Sequence, residues 1–287
     1  MIKEFAVEPE AIANSYRDFF YIIEKFGLPQ GRVIAEFPRK WKAMVFQAAQ
    51  AKLTGTRKLT DITECLKQLP NDILFRSPKG RGDGNASWLE RVAAVQASQP
   101  FDFVLTANSL NAPQTVRLED FTEKHECLTQ NRHWRLSRTA HNISAACAFH
   151  WQTAKHVKLI DPYFDLGEPR YQRPFERLFA MPTQVQQLDI YRNDNFGAAS
   201  IPNRWQDALG HAMAQGVRVR VFFRSVSDMH NRYFLTDLGA LTFGAGLCED
   251  AKNPPAIDDI LLLERDTRLA HWNAHDDANP VFDSQTP

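Results

Sequence analysis

The strongest constraint on the fold is an alternation of helix-like and strand-like segments between about residues 135 and 223. Amphipathic stretches at helical spacing take turns with short runs rich in β-branched and aromatic residues. The predicted helices cover 138–154, 172–181 and 202–215, and the predicted strands are HVKLIDPYF, QQLDIYR and VRVRVFF. Such alternation is typical of an α/β layer fold.

Two adjacent strand-like segments, HNRYFLTD and ALTFGAGL, follow this region and are separated by Leu238-Gly239. Their closeness predicts a tight hairpin. The segment 257–266 predicts one more strand, and TRLAHWNAH predicts a terminal helix. The C-terminal part of the chain is therefore expected to form one α/β domain.

The N-terminal part shows mainly helical periodicity. Helices are predicted over 10–26, 38–53, 60–68 and 87–97, and FDFVLT at 101–106 predicts a strand. The polar segment NSLNAPQ that follows suggests a boundary. The sequence thus predicts a mostly helical unit over 1–115 and an α/β domain over 116–287.

Composition excludes several classes of protein. The chain is 44% apolar and 24% charged, and its net charge is zero, which argues against a dedicated nucleic-acid binder but permits a local basic patch. It lacks an apolar stretch long enough to cross a bilayer and begins without a signal-peptide pattern, so a cytoplasmic location is expected. Its four cysteines form no C-x-x-C pair, which favours reduced, structural thiols.

The predicted hairpin carries a residue pattern with chemical meaning. His230 and Arg232 are followed by Asp237 and, after six further residues, by Gly244. This pattern resembles the motif H-x-K-x4-D-x6-G-S of the phospholipase D superfamily, with Arg232 in place of the lysine and Ala245 in place of the serine. A weaker resemblance extends over about residues 120–287. It implies a phospholipase-D-like α/β sandwich domain.

These residue types suit attack on a phosphodiester. A neutral imidazole can attack phosphorus to give a phosphohistidine, and a neighbouring guanidinium can stabilise the charge that develops on the phosphate oxygens. His230 is the predicted nucleophile and Arg232 the predicted cation, since alternate residues of a strand face the same way. The resemblance implies that Asp237 orients the imidazole. Backbone N–H groups around Gly244 and Gly246, together with Arg224, are predicted to bind phosphate, and no metal or other cofactor is required.

The motif occurs once, although the superfamily uses two histidines for each site. Single-motif members resemble half of a site that is completed by two-fold dimerisation. We therefore expect a homodimer in which His230 is contributed twice. The first 124 residues contain no histidine, so the N-terminal unit cannot supply the second imidazole.

Two basic stretches are candidates for nucleic-acid binding. The first has three cations around an aromatic residue that could stack on a base, and the second alternates along a predicted strand. A solvated helix face around a core tryptophan, and pairing with nearby acids, are the alternative interpretations. The candidate residues are Arg39, Lys40, Trp41, Lys42, Arg218 and Arg220.

Two functions remain open from the sequence. The first is a metal-independent phosphodiesterase, a nuclease rather than a lipase, for which analogy suggests a role in restriction or antiviral defence. The second is an inactive phospholipase-D-like binding or scaffold module whose N-terminal unit contacts a larger complex.

Overall fold

The structure is a computed structural model that describes residues 2–76, 86–108, 110–129, 132–195 and 197–285. The chain divides into two compact units, 1–131 and 132–287. This division falls later in the chain than the boundary predicted at residue 115. The difference arises because 115–117 forms a strand of the first sheet.

The first unit is an α/β layer built on a five-stranded sheet. Its strands are β1 (Lys3–Val7), β2 (Arg32–Ala35), β3 (Leu74–Phe75), β4 (Phe103–Thr106) and β5 (Thr115–Arg117). Its helices are α1 (Pro9–Ile12), α2 (Tyr16–Glu24), α3 (Trp41–Leu53), α4 (Arg57–Lys67) and α5 (Trp88–Ser98).

The strands of this unit are all parallel and lie in the order β3-β2-β1-β4-β5. The prediction of a mostly helical unit is therefore corrected. All four predicted helical segments contain helices, although 10–26 holds two, α1 and α2, and the strand predicted at 101–106 appears as β4. The other four strands of the sheet were not predicted. Strands β2 and β4 are buried along their whole length. Parallel strands covered on both faces lose the apolar-polar alternation by which exposed strands are recognised.

The predicted helices of this unit have identifiable starts. Ser15 accepts a hydrogen bond from the Asp18 N–H at the start of α2, and Ser87 forms a capping box with Glu90 at the start of α5. Such caps satisfy N–H groups that the first helical turn leaves without partners. The predicted helix at 38–53 begins only at Trp41.

The second unit is a mixed α/β layer with an eight-stranded sheet. Its strands are β6 (His133–Ser137), β7 (His156–Ile160), β8 (Gln187–Arg192), β9 (Arg218–Phe223), β10 (Arg232–Thr236), β11 (Ala240–Phe243), β12 (Ile257–Leu262) and β13 (Phe282–Asp283). Its helices are α6 (Ala140–Thr153), α7 (Pro169–Phe179), α8 (Ile201–Ala214) and α9 (Arg265–Ala274).

The sheet order is β13-β9-β8-β7-β10-β11-β12-β6. Strands β7, β8 and β9 are parallel, as the helix-strand alternation predicted, and β10 pairs antiparallel with both β7 and β11. The predicted hairpin is therefore confirmed. Helices cover both faces: His150 of α6 faces Phe234, whereas Trp272 of α9 packs against His156 of the opposite face.

Within the described residues, every helix is too short or too polar to cross a bilayer.

Candidate functional site

The first two residues of the motif, His230 and Arg232, lie at the carboxyl ends of the parallel strands. Tyr233 of β10 pairs with Ile160, the last residue of β7, so β10 begins where β7 ends. Open α/β sheets bind ligands at this edge, which we call the carboxyl edge of the second sheet. His230 is exposed there, in the loop before β10. Because the strand starts at Arg232, strand alternation does not fix the direction of the imidazole.

Arg232 is half-buried at the same edge. Its guanidinium carbon lies 5.9 Å from the centre of the Tyr163 ring, a cation-π contact with a residue that is itself 46% exposed. The Nε atom of Arg232 is buried and forms no hydrogen bond to a described residue. A buried donor without an acceptor is unusual in proteins and is a common feature of ligand sites.

Asp161 lies directly after β7 and is buried. Its carboxylate accepts hydrogen bonds from the N–H of Tyr163 at 2.9 Å and from the N–H of Leu247 at 3.1 Å. Burial raises the pKa of the Asp161 carboxyl, although these two N–H groups and the charge of Arg232 act in the opposite direction. Asp161 thus shapes the turn after β7 and ties it to the segment after β11.

That segment, 244–247, contains the glycines predicted to bind phosphate. The N–H of Ala245 donates to Asp258 at 3.0 Å, and the N–H of Leu247 donates to Asp161. A side chain at Gly244 would lie 2.8 Å from the Asp258 carboxylate, and one at Gly246 would lie 3.2 Å from that of Asp161. The prediction is corrected in this respect: the glycines admit two protein carboxylates, which occupy the flanking N–H groups.

Asp237 does not lie beside His230. It follows the far end of β10, whose five residues span about 16 Å. Its Oδ1 accepts hydrogen bonds from the N–H of Lys155 at 3.0 Å and from the N–H of His156 at 3.3 Å. The expected orienting role is therefore corrected: Asp237 joins the end of β10 to the start of β7.

The predicted phosphate-binding and nucleic-acid-binding arginines of the second unit are neutralised by ion pairs. Arg220 binds Asp189 through two hydrogen bonds of 2.8 and 2.7 Å, and Arg224 binds Asp277 through two of 2.7 and 2.9 Å. Arg218 is paired with Asp283. Since each guanidinium already has a carboxylate, these residues do not form the free cationic surface proposed for phosphate or nucleic acid.

The basic stretch of the first unit contains a buried aromatic residue between more exposed cations. Trp41 is fully buried, and its Nε1 donates to the carbonyl oxygen of Val7 at 2.6 Å. It therefore cannot stack on a base, and the alternative of a core tryptophan is correct. Arg39 and Lys40 are exposed, and Lys42 is half-buried.

Sequence reasoning missed Tyr163 and Asp258, because neither belongs to the motif and both meet it only through the fold. Asp161 could be noticed as a polar residue at a strand end. In the described part of the chain, no three His, Cys, Asp or Glu side chains are grouped so that they could hold a metal ion.

No family model matches this chain, and no curated protein is significantly similar to it. The interpretation of the site therefore depends on its residues and on the fold that positions them.

Proposed function

We propose that the protein is a metal-independent phosphodiesterase that acts through His230, with nucleic acid as the favoured substrate class and the cytoplasm as its location. The observation that carries this proposal is that an exposed imidazole and a cation without an ion pair to any described residue both lie at the carboxyl edge of the second sheet. Of the four arginines predicted around the motif, Arg232 alone lacks an ion pair with a described residue.

In the proposed reaction the imidazole nitrogen of His230 attacks phosphorus, and the bond from phosphorus to the leaving oxygen breaks. The leaving oxygen takes a proton from a second imidazole, and water then cleaves the phosphohistidine. Arg232 would hold the phosphate oxygens through its guanidinium and so stabilise the developing charge. The mixed eight-stranded sheet supports a phospholipase-D-like architecture for this domain.

The second imidazole would come from His230 of another copy across a two-fold axis. Exposed apolar groups beside the motif fit such contact, because Tyr163 is 46% and Val226 is 43% exposed. A symmetric pair of these edges would bring two imidazoles and two guanidinium groups to one phosphate.

The test compares variants at two histidines. Cleavage of labelled DNA, RNA and a generic phosphodiester is measured in EDTA for the wild type, His230→Ala and the control His211→Ala, whose side chain is exposed on α8. We expect His230→Ala to lower the rate at least about 100-fold and His211→Ala to leave it within twofold. Equal rates for the two variants would refute the proposal.

Mixing tests the shared site. Wild type is allowed to exchange subunits with excess His230→Ala, and the mass in solution is measured. A mixed dimer would have one imidazole per site. The remaining activity should therefore fall below the fraction of wild-type subunits in the mixture. Activity proportional to the wild-type fraction, or a monomeric mass with full activity, would exclude the two-fold site.

The second candidate is a phosphate-binding or scaffold module without turnover, within a larger complex. The absence of turnover is favoured because the N–H groups of Ala245 and Leu247 are already bonded to carboxylates and do not add to the charge stabilisation that Arg232 provides. This candidate predicts EDTA-independent binding of an oligonucleotide that Arg232→Ala weakens, with no cleavage by the wild type.

A further inference from the structure

The first unit contains a cavity that the motif does not explain. Its volume is about 550 Å³, within the range of small-molecule sites. Residues from three parts of the unit line it: Asn14 and Asp18 come after β1, Ala107 and Asn108 follow β4, and Arg117 and Glu119 lie at the end of β5.

The position of the cavity follows from strand order. From β1 the chain adds β2 and β3 on one side, and it then returns to place β4 and β5 on the other side. The connections that leave β1 and β4 therefore diverge, which opens a crevice at the carboxyl ends of these strands. Cavity and topology independently indicate the same ligand position.

The chemistry of the lining argues against a phosphate ligand. The segment 8–14 after β1 has no glycine, and buried Glu8 accepts hydrogen bonds from the Thr106 hydroxyl and the Ala107 N–H, both at 2.6 Å. Asp18 lies in the first turn of α2, where its negative charge already offsets the positive end of the helix dipole. Arg117 is paired with Glu119 and Asp120. A dianion would meet carboxylates where nucleotide sites offer N–H groups.

Two polar groups remain able to bind a ligand. The Asp18 carboxylate accepts from Asn14 and Ser15 at Oδ2, and its Oδ1 bonds to no described residue. The backbone N–H of the exposed Asn108 donates to the Thr106 hydroxyl, whereas its side-chain amide forms no hydrogen bond to a described residue. Lys52 donates to the Asn14 side chain. A carboxylate oxygen and an amide suit a ligand with vicinal hydroxyl groups.

We propose that this cavity binds an unphosphorylated nucleoside. Its ribose hydroxyls donate to Asp18 and accept from Asn108, while its base lies against Leu118 and Ala107, which complete the lining. The site stands apart from the phosphodiesterase proposal, since every residue involved belongs to the first unit.

Calorimetry on the full chain tests this with adenosine, guanosine, cytidine and uridine. We expect at least one nucleoside to bind at one per chain with a Kd below about 1 mM. Its 2′,3′-dideoxy form should bind at least about tenfold more weakly, because the hydroxyl partners are lost. Its 5′-monophosphate should also bind more weakly, because of the acidic lining.

Matched variants locate the site. Asn108→Leu should weaken binding at least about tenfold, whereas Asn111→Leu, an exposed neighbour outside the lining, should leave it within twofold. Asp18→Asn should also weaken binding and keeps an acceptor for the start of α2; melting curves identify any loss of folding. Binding should survive His230→Ala.

Three results would overturn the proposal. No nucleoside binds at concentrations up to ~5 mM; the monophosphate binds more tightly than the nucleoside; or Asn108→Leu and Asn111→Leu bind the nucleoside with equal affinity.

Discussion

The two units use the same edge of a parallel sheet in opposite ways. In the first unit a carboxylate, Glu8, lies directly after the central strand and accepts hydrogen bonds from one N–H group and one hydroxyl, so the cavity beside it offers acceptors and an amide. In the second unit, antiparallel β10 enters beside β7 and brings His230 and Arg232 to the edge. One architecture thus yields an acidic site and a cationic site, depending on which residues follow the strands.

Both units use interior carboxylates in the same structural way. Asp161 and Asp258 of the second unit bind backbone N–H groups, as Glu8 does in the first. Burial raises the pKa of the Asp161 and Asp258 carboxyls, which marks them as desolvated structural groups. The difference in site chemistry therefore resides in the accessible side chains.

The largest effect on stability is expected in the first unit, at Trp41. Trp41→Ala should lower the free energy of unfolding by about 3–5 kcal/mol, because it removes a fully buried indole and its hydrogen bond to Val7. Hydrogen exchange should show lost protection in 2–129. Lys40→Ala, at the exposed neighbour, should change stability by less than about 0.5 kcal/mol. Weakened nucleic-acid binding without lost stability would restore the stacking role.

Acid sensitivity should distinguish the second unit. His150 is buried, neither of its ring nitrogens forms a hydrogen bond to a described residue, and burial lowers its pKa to about 4 from 6.5. The unfolded imidazole takes up a proton below about pH 6.5 while the folded one stays neutral, so stability falls as pH decreases through this window. The decline approaches about 1.4 kcal/mol per pH unit and ends near pH 4.

Chemical denaturation at several pH values checks this effect. His150→Leu should remove most of that decline and raise stability at pH 7 by about 1 kcal/mol, since no unpaired polar group stays buried. His141→Leu, an exposed histidine of the same helix, should leave the pH dependence unchanged. If both variants retain the decline, another group is responsible.

The smallest effect on activity is expected at Asp237. Asp237→Ala should reduce stability by about 1–3 kcal/mol, because the N–H groups of Lys155 and His156 lose their acceptor. The cleavage rate per folded molecule should stay within twofold, as for the exposed control Asp207→Ala. A loss as large as that of His230→Ala would instead support the orienting role that the resemblance implies.

Local periodicity predicted much of the fold. The helices α6 and α8, the strands β8 and β9 and the hairpin of β10 and β11 all appear near their predicted positions. These elements each carry a pattern of 3.6 or 2 residues along the chain itself. Strands β1 and β2 escaped prediction because each has only four or five residues and begins with a charged residue, so neither carries a long enough apolar pattern to be recognised.

For the candidate site, too, the sequence reveals one part and the fold decides the other. The sequence by itself determined which chemical groups the chain contains and their spacing in the motif, since His230 and Arg232 are two positions apart along the chain in any fold. Only the tertiary structure decided which groups stay available: Asp283 neutralises Arg218 across 65 residues, and Asp161 occupies the Leu247 N–H across 86. Ion pairs and hydrogen bonds act over a few ångströms of space, and distance along the chain does not reveal them.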